Sequence, residues 1–441
     1  MIGGRFKLAS VASIAAAGLF MGGVSAQAAD LGGNCCADLE ERVAELEATT
    51  ARKGNRKVSL EVSGQVHEAI VFWDVNNKNN LNEESNVYIG THNASRSRFR
   101  FKGSANINAD WSAGFLMEIG VRANHLGNTT QNAPLTGLGN QPSTGRNAIG
   151  VSGLDIRHEA LYVKSKSLGT VWLGWTSSAA DGITEICLGC GIHNGPDYSD
   201  DMGDLFDGFG NRYDRFGGQH GAFVGEGDRR EIIRYISPTI AGFVVSAAYG
   251  SDDFYDVALR YAGEFGAIRI AGGVAYQRDT DGSVNGNTGA GFISATACQY
   301  TTATSDKDCE SIGASLSMQH VPTGIYVAGA YGQATDKNAT GALKAWDQNT
   351  AWHATVGINQ KWSSLGKTNI WAMYTQADRE INQAAFGKAD LTIYGVGLEQ
   401  TIDAAAMTMF VFYKHFDADL KGDNTVGGTT DQIVAGALIK F

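Results

Sequence analysis

Hydrophobic and polar residues alternate along most of this chain, in short segments rather than in long apolar runs. From Val58 onward, Val62, Val66 and other apolar residues recur at every second position, with Gln65 and His67 among the polar residues between them. Successive side chains of a strand point to opposite faces, so the pattern predicts β-strands with one apolar and one polar face. After the first 24 residues the chain has no run of about 18 apolar residues, the length that a transmembrane helix needs.

Sixteen such segments can be counted, and the connections between them are alternately short and long, except for a short one at 251–254. We expect the strands to begin near residues 58, 95, 111, 155, 170, 229, 242, 255, 267, 311, 324, 350, 367, 390, 405 and 431. The long connections are expected near 76–94, 125–154, 176–228, 278–310, 335–349, 378–389 and 417–430. Tight turns at one rim and long loops at the other are typical of an all-β membrane protein, so the pattern predicts a 16-stranded antiparallel transmembrane β-barrel over residues 58–441.

The last strand has the clearest alternation, because Ile433, Ala435, Ile439 and Phe441 lie on one face. A closed barrel has no free edge, so we expect this strand to pair with the one that starts near Val58. The segments 367–377 and 405–416 are apolar on both faces. Contact between subunits would explain such a pattern.

The N-terminus has the features of an export signal. Arg5 and Lys7 precede an apolar stretch, and small residues follow it up to Asp30, so we expect a cleaved signal peptide over 1–29. Residues 30–57 are predicted to hold a short periplasmic helix, starting at a capping box at Asp38, and a basic linker. The helix either lies against a barrel or forms a brief trimeric coiled coil.

Six cysteines in an exported chain favour disulfides. Spacing suggests that Cys187 pairs with Cys190 and Cys298 with Cys309, whereas the pairing of the adjacent Cys35 and Cys36 stays open. Cys187, Cys190 and His193 could instead bind zinc, but three ligands are too few for a closed structural site. We therefore predict no metal and no cofactor.

Charge and motifs argue against several other classes of function. The formal net charge is −11 and the chain has no basic tract, so nucleic acid is not an expected partner. His67-Glu68 and His158-Glu159 lack the second histidine of a zinc-protease helix, and Gly366-Lys367-Thr368 lacks the upstream glycine of a phosphate-binding loop. We do not expect an enzyme.

The segment Asp38–Thr49, the basic linker after it, the strand at Val58 and the terminal strand ending at Phe441 resemble the general porins of alphaproteobacteria. The resemblance covers essentially the whole mature chain. It implies a homotrimer in the bacterial outer membrane, in contact with its lipid, in which the third long loop folds into each lumen. It also implies recognition of the C-terminal strand by the barrel-assembly machinery.

The third long loop is 176–228, and its composition is acidic and aromatic. Three arginines, Arg96, Arg98 and Arg100, share one face of a strand and would crowd one strip of the lumen. The polar faces of other predicted strands also carry arginines, namely Arg230, Arg234, Arg260 and Arg269. The candidate constriction residues are Arg96, Arg98, Arg100, Arg230 and Arg234, with Asp181, Glu185, Asp197, Asp200, Asp201, Asp204 and Asp207 on the loop. Two plainer interpretations stay open. The arginines are hydrated residues of the lumen without a specific role, or the loop 176–228 lies outside the barrel.

These features favour a passive, water-filled channel for small hydrophilic solutes and ions. Acidic residues on one side and basic residues on the other would set up a transverse field in a narrow aqueous constriction. The alternatives are a substrate-specific outer-membrane channel and a plugged, adhesin-like barrel.

Overall fold

The computed structural model describes residues 57–77, 84–92, 94–121, 154–196, 223–250, 253–280, 308–337, 348–380, 388–420 and 427–441. The expected signal peptide and the expected helix of residues 30–57 lie outside this part of the chain, apart from Lys57. No helix among the described residues is long and apolar enough to cross a membrane.

The described chain forms one antiparallel sheet of 17 strands. Their bounds are β1 Ser59–Asn77, β2 Glu84–Thr91, β3 Arg98–Asn106, β4 Trp111–Val121, β5 Leu154–Ser165, β6 Gly169–Ser177, β7 Arg229–Ile236, β8 Phe243–Gly250, β9 Tyr255–Phe265, β10 Ile268–Asp279, β11 Cys309–His320, β12 Ile325–Asp336, β13 Gln348–Ser363, β14 Gly366–Glu380, β15 Lys388–Ile402, β16 Met407–Leu420 and β17 Gly427–Lys440. A short 3-10 helix, Asp403–Ala405, joins β15 to β16.

Two of these strands occupy one position in the barrel. β2 pairs with the second half of β1, from Glu68 to Val75, and β3 pairs with its first half, from Ser59 to Gln65. Between β2 and β3 the backbone turns through Ser95, whose φ of 49° is in the left-handed region. The barrel is therefore closed and 16-stranded, as predicted. The expected long connection at 76–94 is wrong, because β2 lies within it.

Closure depends on the pairing of the first strand with the last. β1 and β17 are in continuous antiparallel register from Gln65 opposite Lys440 to Asn77 opposite Gly428. Next to the Gln65–Lys440 pair, Phe441 exchanges two backbone hydrogen bonds of 2.9 and 3.0 Å with Gly64. The predicted partner of the terminal strand is thus confirmed.

The two faces of each strand differ in exposure as the alternation predicts. On β9, Val257 and Leu259 are 43% and 41% exposed, whereas Asp256 and Ala258 are almost fully buried. The exposed apolar face is the one that contacts lipid in a barrel of this kind. The buried hydrophobic side chains lie inside the barrel, where they pack with residues of the third long connection, such as Ile183.

β14 and β16 correspond to the two predicted segments that are apolar on both faces. Their inner faces are apolar because they pack against other residues inside the barrel. Trp371 and Met373 of β14 and Phe410 and Phe412 of β16 are buried on the inner face. Phe410 packs against His193 of the third long connection, with ring centroids 4.0 Å apart. Contacts inside the lumen explain this pattern without contact between subunits.

Candidate functional site

One buried carboxylate on the inner wall holds three arginines together. Arg157 and Arg100 each donate from Nε to Glu118 over 2.6 Å, and Arg98 lies 3.8 Å from the same carboxylate. The side chain of Glu118 is only 1% exposed. A charge buried this deeply needs paired, hydrogen-bonded partners, so Glu118 fixes the positions of the guanidiniums around it.

A fourth arginine has its own carboxylate. Arg96 lies 3.0 Å from Asp155, and both side chains are mostly buried. We call Arg96, Arg98, Arg100 and Arg157 the arginine strip. The predicted clustering of Arg96, Arg98 and Arg100 is present, but the partners that the structure gives them are carboxylates of the wall, Glu118 and Asp155. With four guanidiniums and two carboxylates, this set of side chains is net positive.

Sequence reasoning missed Arg157, because a β-bulge changes the parity of β5. The register between β4 and β5 shifts after Glu118, which pairs with His158, whereas Ile119 pairs with Ile156. The extra residue of a bulge disturbs the regular alternation of side chains. Arg157 and His158 are consequently both buried, although they are adjacent in sequence.

The first residues of the third long connection are tied to the wall through their main chain. We call residues 178–196 the inward loop. Arg234 donates to the Ser178 carbonyl over 3.1 Å, and Arg260 donates to the Asp181 carbonyl over 2.8 Å. Asp256 accepts the Ala180 N–H at 2.8 Å. Arg234, a predicted constriction residue, thus binds loop backbone.

Arg230 instead contacts side chains inside the barrel and not the backbone of the inward loop. It forms an ion pair of 3.0 Å with Asp279 of β10, and its guanidinium lies over the Phe254 ring at 4.1 Å. Arg269 pairs with Glu264 at 2.7 Å, and both side chains are about half exposed. Of the predicted cationic residues, the three on β3 and its N-terminal flank share the cluster around Glu118 and Asp155, whereas Arg234 and Arg260 lie together beside the inward loop.

The middle of the inward loop follows β11. Ser315 donates to the Ile183 carbonyl over 2.5 Å, and the Leu188 N–H donates to Ser317 over 2.8 Å. Ile183 itself is fully buried. Small residues of the wall make room for this close approach, since a Cβ on Gly273 would lie 2.7 Å from the Ile183 side chain.

The end of the inward loop reaches β13 and β15. Asn359 donates to the Gly189 carbonyl over 2.9 Å. Glu399 accepts the N–H groups of Ile192 and His193 at 3.0 and 3.2 Å, and its carboxylate lies 3.0 Å from His193 Nδ1. From its start beside β7, the inward loop therefore runs along the inner face of the wall as far as β15.

A disulfide closes a small ring within this loop. Cys187 and Cys190 are bonded, as their spacing predicted, with Cα atoms 5.6 Å apart. Their sulfurs are then not available to zinc, so the alternative of a Cys187, Cys190 and His193 site is wrong. Cys309 is also disulfide-bonded. Because Cys298 lies outside the described residues, its pairing with Cys309 stays a prediction.

The chain that returns to β7 packs on the inward loop and on the wall. Glu226 accepts the N–H groups of Ile183 and Thr184 at 3.2 and 2.8 Å. Gln277 donates to the carbonyls of Gly225 and Glu226, both at 3.1 Å. Burial and the nearby Glu185 and Asp181 raise the pKa of Glu226 above its ordinary value, while hydrogen bonds from Thr184 oppose the shift.

Glycines of the wall allow this backbone contact. A Cβ added to Gly332 would collide with the Val224 carbonyl, and one added to Gly313 would collide with the Gly225 carbonyl. These glycines lie on neighbouring strands, β12 and β11. The wall is thus smooth where the main chain of residues 223–228 lies on it.

The predicted acidic residues divide into two groups. Asp181 and Glu185 belong to the inward loop, where Asp181 is half-buried and Glu185 exposed. The other predicted acids of the connection lie outside the described residues: Asp197, Asp200, Asp201, Asp204 and Asp207.

A closed barrel with an apolar outer face, charged residues on its inner wall and a loop attached inside defines the class of outer-membrane channels. The chain belongs to the Gram-negative porin family, whose sequence model matches residues 9–421. It is accordingly a bacterial outer-membrane protein and a channel.

Solved structures agree on the fold. An anion-selective porin from Comamonas acidovorans has a TM-score of 0.52 and 13% identity, over 87% of this chain and 100% of that one. OmpF of Salmonella typhi, solved with daunomycin, has a TM-score of 0.51 and 14% identity, over 87% and 98%. The channel DcaP of Acinetobacter baumannii has a TM-score of 0.52 and 10% identity, over 88% and 99%. A comparison with curated protein sequences finds no match.

Proposed function

We propose that this porin is a water-filled passive diffusion channel for small hydrophilic solutes and ions, narrowed by the inward loop. The observation that carries the proposal is the attachment of residues 178–196 to the inner wall from β7 to β15. A segment held there occupies cross-section that water and solutes would otherwise fill. Size selection in such a channel depends on the width and lining of its narrowest part.

The arginine strip supplies the electrostatic part of the proposal. Its net positive charge lies on the wall of β3–β5, and the acidic residues predicted for residues 176–228 would supply the opposite charge across the narrowed lumen. A transverse field of this kind orders water and aligns polar solutes, which puts apolar solutes at a disadvantage. The formal net charge of −11 does not set the ion preference, because the narrowest part of the lumen does so.

The proposal includes assembly as a homotrimer of the alphaproteobacterial type and no enzymatic activity. The terminal strand ending at Phe441 would carry the recognition signal for the barrel-assembly machinery. Electrophoretic migration before and after heating tests the trimer, and insertion into planar bilayers in steps of three equal conductances supports it. Uniform single steps from a monomer would contradict it.

Liposome swelling with sugars of increasing size tests the channel itself. Permeation should decline smoothly with sugar size, because a passive pore discriminates mainly by cross-section. A sugar that permeates far faster than its size allows would favour the substrate-specific alternative. Absence of both swelling and single-channel steps would favour the plugged barrel.

Reversal potentials in a salt gradient test the arginine strip. The triple variant Arg96→Ser, Arg98→Ser and Arg100→Ser should shift the preference towards cations, because Glu118 and Asp155 then lose most of their cationic partners. Arg269→Ser is the matched control, since Arg269 lies on β10, away from the arginine strip, and is paired with the exposed carboxylate of Glu264 on β9. An unchanged reversal potential in the triple variant would remove the strip from the selective part of the lumen.

A further inference from the structure

Three buried histidines from separate parts of the chain meet inside the barrel. His67 lies on β1, His92 follows β2, and His193 belongs to the inward loop; their exposed fractions are 0%, 0% and 2%. Their candidate ligand nitrogens all lie within 4.8 Å of one another. The His67 and His92 rings stack at 4.7 Å, and the His92 and His193 rings meet edge-on at 4.8 Å.

His67 is the member of this group that ordinary packing explains least. The side chain is completely buried, and the carbonyls of Ser95 and Ala94 approach the ring without forming a well-aligned hydrogen bond to either nitrogen. Most buried polar side-chain atoms in proteins have a hydrogen-bond partner, and an exception needs an explanation such as an absent ion. One ring nitrogen of His67 lies within 4.8 Å of a ring nitrogen of each of the other two imidazoles.

His193 is oriented as a metal-ligating histidine usually is. Its Nδ1 lies 3.0 Å from a carboxylate oxygen of Glu399. Ligating histidines commonly donate their other ring N–H to a carboxylate, which fixes the tautomer and leaves the remaining nitrogen as the ligand. The contact with Glu399 thus makes Nε2 the nitrogen of His193 that could act as a ligand.

The three candidate ligand nitrogens would have to move only slightly closer together to bind one ion. Tetrahedral zinc has Zn–N bonds of about 2.0–2.1 Å, which places ligand nitrogens about 3.3 Å apart. Starting from the observed limit of 4.8 Å, the rings must approach by about 1.5 Å at most. His92 Nδ1 accepts a hydrogen bond from the Ala94 N–H at 3.1 Å, so ligation by His92 requires that this ring turn or release that bond.

We propose that His67, His92 and His193 bind a divalent transition-metal ion of the zinc class. Imidazole nitrogens suit such ions, and three histidines with an open fourth position form a known type of zinc site. Phe410 and Phe412 pack beside the His193 ring and give the site an apolar surrounding. Since two ligands come from the wall and one from the inward loop, the ion fastens the loop to β1; this effect on permeation rests on the proposed function.

Equilibrium dialysis with Zn²⁺ tests the site on the full-length folded protein after treatment with a chelator. We expect one tightly held zinc per chain by elemental analysis. His67→Gln and His193→Gln should each weaken binding by more than the about 10–100-fold that loss of an outer-shell partner causes, and Glu399→Gln should weaken it by about that amount. His320→Gln, at the end of β11, should leave zinc binding unchanged.

Co²⁺ binding, followed by visible absorption, reports metal ligation directly. If the histidines only packed against one another, substituting them would not change the Co²⁺ spectrum. The visible absorption of tetrahedral Co²⁺ should appear on titration and be absent in His67→Gln and His193→Gln. Heat-dependent migration identifies the folded fraction of each variant, and metal content is measured on that fraction alone. No zinc retained by the parent protein, or equal retention by the parent and both variants, would overturn the site.

Planar-bilayer recordings separate this inference from the proposed function. Zn²⁺ should reduce current fluctuations in the parent protein and leave His193→Gln unaffected. Zinc binding without any channel activity would contradict the proposed function alone. Channel activity without zinc binding would contradict the metal site alone.

Discussion

The wall of β3–β5 and the wall of β10–β12 face the same lumen but are lined by different chemistry. The first carries the arginine strip around Glu118 and Asp155. The second carries serines and glycines, on which the inward loop and residues 223–228 lie by main-chain contacts. The arginine strip therefore lies on one wall, and the middle of the inward loop is attached to the other.

This difference shows how one lumen can combine a fixed loop with a charged surface. Main-chain hydrogen bonds to serine hydroxyls and close contacts to glycines attach a loop without using the charged groups of the opposite wall. The arginines, in turn, are positioned by carboxylates of their own wall, so their geometry does not depend on the loop. The two walls should consequently respond separately to substitution.

Glu118→Gln should give the largest effect and should alter only the charged wall. It leaves Arg98, Arg100 and Arg157 without their shared anion, and breaking a buried ion pair costs about 3–5 kcal/mol. We expect the free energy of unfolding to fall by about 3 kcal/mol, the lower end of this range, because Arg100 is 41% exposed and water partly replaces the lost anion. Urea unfolding measured by electrophoretic migration tests the loss, and the reversal potential should shift towards anions.

Glu159→Gln is the matched control for this variant. Glu159 is on the same strand as Arg157 but is exposed, so stability and ion preference should stay unchanged. Equal effects of the two substitutions would contradict the role assigned to Glu118.

Gly332→Ala should disturb the other wall. The added Cβ collides with the Val224 carbonyl, which belongs to backbone and cannot rotate away. Over-packing of this kind costs about 1–3 kcal/mol, and displacement of the returning segment should raise single-channel conductance without a change in ion preference. Gly195→Ala is the control, because a Cβ there meets nothing within 4 Å.

Arg96→Ser should have a smaller effect on the charged wall. It removes one hydrogen-bonded ion pair and leaves Asp155 without that guanidinium, and we expect a loss of about 1–2 kcal/mol. A double-mutant cycle with Asp155→Asn measures the pair directly. Additive losses in the cycle would mean that the 3.0 Å contact contributes nothing to stability.

Asp110→Asn should give the smallest change, at the rim beside the charged wall. Hydrogen bonds from Ser165, from the Lys166 N–H and from Ser167 lower the pKa of Asp110. The stabilisation is complete above the ordinary pKa of aspartate, about 3.9, and is lost as pH falls from there through the lowered pKa. Unfolding at pH 7 and below pH 4 should show less acid sensitivity in the variant than in the parent.

The strand pattern was largely predictable, and the reason is physical. A strand that separates lipid from water must alternate, so period-two patterning located the starts of the sixteen barrel strands to within a few residues. β2 was missed because residues 78–94 are polar and rich in asparagine, a composition typical of loops. The bend at Ser95 allows two short strands to share the length of β1.

The candidate site was predictable only in part. Parity identified Arg96, Arg98 and Arg100 as neighbours, and spacing identified the Cys187–Cys190 disulfide. Glu118 lies on the polar face of the predicted strand β4 and could have been identified from the alternation. Arg157 could not, because the local sequence does not reveal the β-bulge that turns its side chain inward. His67, His92 and His193 are far apart in sequence, so only the closed barrel and the folded loop bring them together.

The hydrogen bonds between Phe441 and Gly64 bear on how the chain reaches its native state. They join residues almost 380 positions apart, so the ladder between β1 and β17 cannot form before residue 441 has been synthesised. Contacts of such long sequence separation slow folding, because the entropy of closing the loop is lost before the contact is made. Until that ladder forms, β1 and β17 both expose unpaired backbone groups, and the unfinished barrel is most prone to pair with another chain at that stage.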